Sequence, residues 1–247
     1  MATIGATAPL AVAVVEAIQD GDLARLWRLL DEHPGLATAR IGDEGPGGMS
    51  RGLLHVVTDW PGHFPDGAAT VALLAEAGAD VNARFAGPHA ETPLHWAASS
   101  NDVAVLDALL DAGADIEASG GVIGGGTPLA DARASAQWEA AHRLVARGAR
   151  TTVVDAATLG LLDRLEGSSP ARSRPPRRWS APPSGAPATA ASSRARPGCW
   201  TGGAELNWIP PWEDLTPLDA AERRGTEELV AWLRDRGASS AAELHAT

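Results

Sequence analysis

The residues best suited to chemistry cluster just after the apolar run Leu53-Leu54-His55-Val56-Val57. Asp59, Trp60, His63 and Phe64 place a carboxylate, an imidazole and two aromatic rings in one short segment, and His55 and His95 add two further imidazoles. Such a set could clamp a small ligand or hold a metal ion, with metal-assisted catalysis as an extension. A zinc-type site, however, needs three or four fixed ligands, and two histidines without a fixed third make a weak one. The single Cys199 excludes an intramolecular disulfide and a cysteine-based zinc site. The run Gly120-Gly121-Val122-Ile123-Gly124-Gly125-Gly126 matches a phosphate loop only in glycine content, because no Lys follows it and no strand pattern precedes it. No Ser–His–Asp set, carboxylate pair or nucleotide fingerprint has a convincing local context. The expectation is a non-enzymatic protein with no cofactor and no metal. The His/Trp segment supplies the alternative, a small-ligand or metal site.

What must position these residues is a repeat. Gly-Ala pairs occur at Gly78, Gly113, Gly148, Gly203 and Gly237, with intervals of 35, 35, 55 and 34 residues. A second marker keeps phase with the first: Thr92-Pro93-Leu94, Thr127-Pro128-Leu129 and Thr216-Pro217-Leu218 each begin 21 residues before a glycine of the first set. Self-similarity at this period signals stacked supersecondary units.

The chemistry of residues 92–119 explains the spacing. Thr92 suits a helix N-cap, and Pro93 suits the first helical position, where a missing N–H costs nothing. Ala97 and Ala98 are small enough for a neighbouring unit to approach. Asn101 or Asp102 caps a second helix, on which Val103, Leu106, Leu109 and Leu110 form one apolar stripe. Gly113 ends that helix in the left-handed conformation, and Asp115-Ile116-Glu117 leads into a loop. Two short helices cannot bury the stripe alone, whereas stacked copies can.

The words Glu91-Thr92-Pro93-Leu94-His95-Trp96-Ala97-Ala98 and Gly78-Ala79-Asp80-Val81-Asn82 closely resemble the ankyrin repeat. The resemblance covers roughly residues 12–166 and 203–240. It implies an all-α, ankyrin-repeat solenoid of helix–turn–helix units with finger loops, acting in protein–protein interaction without a cofactor. It also implies where a partner would touch. The residue after the Leu-His word faces a concave groove and the fingers line one rim, which selects Val56, Trp96 and Asp131 on inner helices and Arg84, Phe85, His89 and Glu117 on fingers. Trp96 is the foremost of these, since exposed Trp dominates binding hot spots. Asp59, Trp60, His63 and Phe64 join the set as an insertion that overhangs the groove, against the plainer reading of a Pro-braced turn covering helix ends. His55 and His95 are implied to be structural, bonding loop backbone between neighbouring units.

Three regions follow. Residues 1–167 hold a capping unit and about four repeats, the last incomplete. The second of these has Gly52 in the Thr slot and five extra residues between its helices. Residues 203–247 hold a C-terminal repeat and cap. Residues 168–202 fit neither, for 168–200 carry six Arg, no acid, and no Leu, Ile, Val, Met or Phe. Read one base earlier, with permitted synonymous codons, Gly198 to Gly202 spells Leu-Leu-Asp-Arg-Gly and Ser184 to Ala191 spells a plausible inner helix. A phase-shifted tract is therefore the favoured reading, and a disordered Pro/Arg-rich linker the other.

Charge bounds the partners. The formal net charge is −11, and every one of the 20 basic residues is Arg, a usage that fits a GC-rich gene. An acidic body repels phosphate backbones and anionic lipid, so the expected partner is a protein, with no nucleic acid and no membrane. The apolar stretch from Leu10 to Ile18 carries Glu16 and is too short to span a bilayer, which points to a first helix and a cytoplasmic location.

Overall fold

The computed structural model describes residues 3–43, 45, 47–167, 206–209 and 215–246. Residues 168–205, which hold the Pro/Arg-rich tract and Gly203, lie outside the described residues. The fold is mostly helical, and the described residues fall into two compact units, one up to Thr151 and the other from Thr152 onward.

The first unit opens with β1 (Thr3–Gly5), α1 (Pro9–Gln19) and α2 (Leu23–Glu32). After β2 (Arg40–Gly42) and β3 (Ser50–Gly52) come α3 (Leu53–Val57), α4 (Gly67–Glu76), α5 (Pro93–Ser99), α6 (Val103–Asp111), α7 (Pro128–Ala134) and α8 (Trp138–Ala146). The helices pack in two rows: α1, α3, α5 and α7 contact one another in turn, and so do α2, α4, α6 and α8. Leu53, Leu54, Leu74, Leu94, Leu106, Leu109, Leu129 and Leu144 are fully buried between the rows. Each pair thus covers its apolar stripe with the next pair, as the repeat period requires. On α6 the buried set is Val105, Leu106 and Leu109, with Val103 and Leu110 only half-buried. That helix is flanked by α4, α5 and α8, so a wider arc than one stripe is covered.

Short-range signals set the helix ends. Pro93 and Pro128 occupy first-turn positions. Asp102 is the cap of α6, its Oδ1 accepting from the Val105 N–H at 3.2 Å, while Asn101 takes a positive φ and its Oδ1 accepts from the Ala140 N–H at 2.9 Å. Gly78, Gly113 and Gly148 close α4, α6 and α8 with φ of 94°, 94° and 103°. The N–H of the following alanine reaches back to Leu74, Leu109 or Leu144 O at 2.9 Å, which satisfies carbonyls the helix leaves over.

A small sheet adds to the helical expectation. β1 pairs with β2 in parallel and β2 with β3 antiparallel, and Ser50 bridges to Ala86 in the next loop. The strands are three residues long. They are loop backbones lying side by side, where alternation of apolar and polar residues over so few positions leaves little trace in the sequence.

The second unit contains α9 (Val153–Leu159), α10 (Leu162–Gly167), α11 (Pro217–Arg224), α12 (Glu227–Arg234) and α13 (Ala241–His245). α11 packs on α9 and α12 around Ala157, Leu218, Leu229 and Leu233. Reciprocal caps at Thr152–Asp155, Thr216–Asp219 and Ser240–Glu243 begin three of its helices. Gly237, with φ of 85°, follows α12, and the Ala238 N–H bonds Leu233 O at 3.0 Å.

Candidate functional site

Two buried imidazoles organise the loops of the first unit. His55 Nε2–H donates to Glu91 O at 3.1 Å, and His95 Nε2–H donates to Gly126 O at 3.1 Å. In each case the carbonyl belongs to the loop of the following repeat. His95 Nδ1 accepts from the Thr92 N–H at 3.1 Å, so both faces of the ring are engaged. Burial pushes both histidines down to about 4, which keeps them neutral at physiological pH. Their bonds are those of structural histidines. Among the described residues no three His, Cys, Asp or Glu side chains stand close enough to share a metal ion.

Around His55 lies an aromatic cluster. Trp96 meets the His55 ring edge-on with centroids 5.0 Å apart, and Phe85 lies 5.5 Å from Trp96. Trp96 on α5 and Phe85 on the preceding finger are both half-buried, so the cluster has one packed side and one open side. Such partly exposed aromatic surface is what anchors a partner. Trp96 thus packs on the finger and keeps part of its indole exposed.

The other groove positions are not surfaces in this structure. Val56 is wholly buried on α3, because that helix is short and covered by α1, α4 and α5. Asp131, which occupies the same repeat position as Trp96, is only 3 % exposed. Burial, reinforced by the nearby Glu91 charge, pushes its carboxyl up to about 7.

The finger residues divide between exposure and internal work. His89 is exposed. Arg84 is exposed along its length, but its guanidinium donates to Ala90 O at 2.9 Å and to Ser119 O, tying one finger to the next. Glu117 is occupied. Its carboxylate accepts from the Arg150 N–H at 2.7 Å and from Arg150 Nε at 3.0 Å. Asn82, 35 residues earlier, does the same work, accepting from the Asp115 N–H at 2.7 Å and donating to Gly113 O at 3.2 Å. Asn207 repeats the clip in the second unit on Ser239 N and Gly237 O. The spacing of position 117 from position 82 was a signal for this role that a search for surface residues passes over.

Of the two readings of the insertion, its anchoring agrees with the turn that covers helix ends. The His63 N–H donates to Asp102 Oδ2 at 2.9 Å, and His63 Nε2–H donates to Ser100 O at 2.9 Å. Both acceptors sit at the turn from α5 to α6, whereas the fingers enter α5 at its opposite end. At His63 the segment is thus anchored over the helix ends, at the end of α5 opposite the finger loops. Asp59 pairs with Arg51 at 2.6 Å, Phe64 is half-buried, and Trp60 stands 86 % exposed.

The ankyrin repeat family model matches residues 90–120, the stretch that runs from Glu91 and Trp96 through α6 to the finger at Glu117. The chain therefore carries an ankyrin repeat, a module associated in general with protein–protein interaction. No curated protein matches the chain. Among the described residues no helix is long and apolar enough to cross a membrane.

Proposed function

We propose that the chain is a non-enzymatic ankyrin-repeat solenoid that recognises another protein through the face formed by α5, α7 and the intervening fingers, in the cytoplasm. One observation carries the reading: the open side of the Trp96–Phe85–His55 cluster, where an aromatic side chain is held in a fixed pose yet keeps part of its surface free. Rigid amphipathic rings of this kind give contact area at little entropic cost. The acidic balance favours protein over nucleic acid or anionic lipid as the partner. Affinity capture from lysate with the full chain and with Trp96→Ala tests the proposal. A specific protein captured by the first and lost by the second, at equal thermal stability, supports it. Identical captured sets refute it.

A further inference from the structure

Among the described residues, Asp131 is the charged side chain that the fold leaves least provided for. Neither carboxylate oxygen has a hydrogen bond of acceptable geometry. The Val122 and Ile123 N–H groups face it and draw its pKa down only in part. The charge that acts on it is that of Glu91, which is of the same sign and itself buried. Two facing peptide N–H groups offset only part of the cost of taking an anion out of water, and a group kept in that state is a functional-site candidate. The repeat gives it a meaning: Thr92-Pro93-Leu94-His95-Trp96 aligns with Thr127-Pro128-Leu129-Ala130-Asp131, so Asp131 stands one unit along from the half-buried indole.

The cover over it is a finger rather than a helix. Gly121 lies against the carboxylate so closely that a Cβ there would fall 2.6 Å from both oxygens. The finger is closed on itself by Gly120 N–H to Gly125 O and Gly121 N–H to Gly126 O, both at 3.0 Å, and its tip residue Val122 is 48 % exposed. Gly121 therefore lies directly against the carboxylate, with the exposed turn on its outer side.

We propose that Asp131, with Glu91 beside it, receives a lysine or arginine side chain of the protein partner, which displaces the glycine finger 120–126 and lays its stem toward Trp96. This rests on the protein-recognition reading above and gives that partner its chemistry: a basic peptide segment. The cations already nearby do not fill the role. Arg84 is engaged with Ala90 O and Ser119 O and is not among the groups acting on Asp131. On the helices packed against α7, His95 is neutral and bonded to Gly126 O, while Glu139, His142 and Arg143 on α8 are exposed, Arg143 pairing with Asp107. A cation can bind only the ionised acid, so binding expels a proton from a carboxyl that titrates near 7.

The test begins with a random twelve-residue peptide library displayed on phage and selected on the full chain at pH 8. Selected peptides are then measured by fluorescence anisotropy against the wild type, Asp131→Asn and Glu91→Gln. The expected peptides contain Lys or Arg, and replacing that residue by norleucine or citrulline lowers affinity at least tenfold. Wild-type affinity is about tenfold higher at pH 8 than at pH 6, following the ionised fraction, and Asp131→Asn abolishes that dependence. Peptides that lose binding to Trp96→Ala but bind Asp131→Asn unchanged, or tolerate citrulline, overturn the inference and leave the interaction face standing. Selected peptides that are indifferent to Trp96→Ala overturn the interaction face itself. Calcium binding by calorimetry that Asp131→Asn removes would overturn the inference in favour of a metal.

Discussion

Replacing Asp131 by Asn should stabilise the protein near neutrality and much less so in acid. The folded carboxyl titrates near 7 against an ordinary 3.8. A raised acid pKa means that the folded state holds its proton longer than the unfolded chain does. The associated stability is complete below about pH 3.8 and is lost as pH rises to about 7. Integrating the two titrations gives an ionisation cost of about 1.5 kcal/mol at pH 5 and about 4 kcal/mol at pH 7. The uncharged amide of the same shape has no such dependence. The difference in stability between Asp131→Asn and the wild type should therefore grow by about 2 kcal/mol in favour of the variant between pH 5 and pH 7. Urea unfolding followed by Trp fluorescence at the two pH values measures it, and comparing variant with parent cancels the titrating groups that do not interact with Asp131. A difference that does not change with pH, or that favours the parent more at pH 7, would refute the account of Asp131 as an uncompensated buried acid.

In the Asp131→Asn background, lowering the pH from 7 to 5 should cost about 4 kcal/mol, because the unfolded chain protonates His55 and His95 near 6.5 while the folded one resists to about 4. Adding His95→Gln should reduce that acid loss to about 2 kcal/mol, read from the same urea curves; an unchanged loss would show that these rings are not buried neutral. Gly113→Ala should cost about 1–2 kcal/mol, since φ is 94° and no atom lies within 4 Å of the added methyl, leaving backbone strain as the whole effect. An unchanged unfolding midpoint in that variant would remove the left-handed closure of α6.

The helices α4 to α8 were legible because most of their ends carry residues with one dominant local preference. Thr-Pro opens α5 and α7, a glycine closes α4, α6 and α8, and the interval between them fixes the pair. The structural role of the two histidines followed from the repeat word they sit in, and the carbonyls they bond lie 36 and 31 residues further along the chain. The surface was harder to read. Val56 and Asp131 share a phase with Trp96, but phase gives direction and not depth. Depth depends on the loop that comes to rest above the residue, and the glycine finger over Asp131 leaves no periodic mark. The anchoring of His63 depends likewise on an acceptor at Ser100, 37 residues away, which no local pattern announces.

The clips at Asn82 and Glu117 have an evolutionary consequence. Each takes hold of backbone at the same phase of the succeeding 35-residue block, so donor and acceptor are both inherited with the block. Unequal crossover at matching points would hand the new neighbour a ready fastening, and the chain could be lengthened or shortened by whole turns without inventing a junction. Only a length change between a clip and the backbone it holds would disturb the fastening, and the five extra residues between α3 and α4 lie outside that stretch.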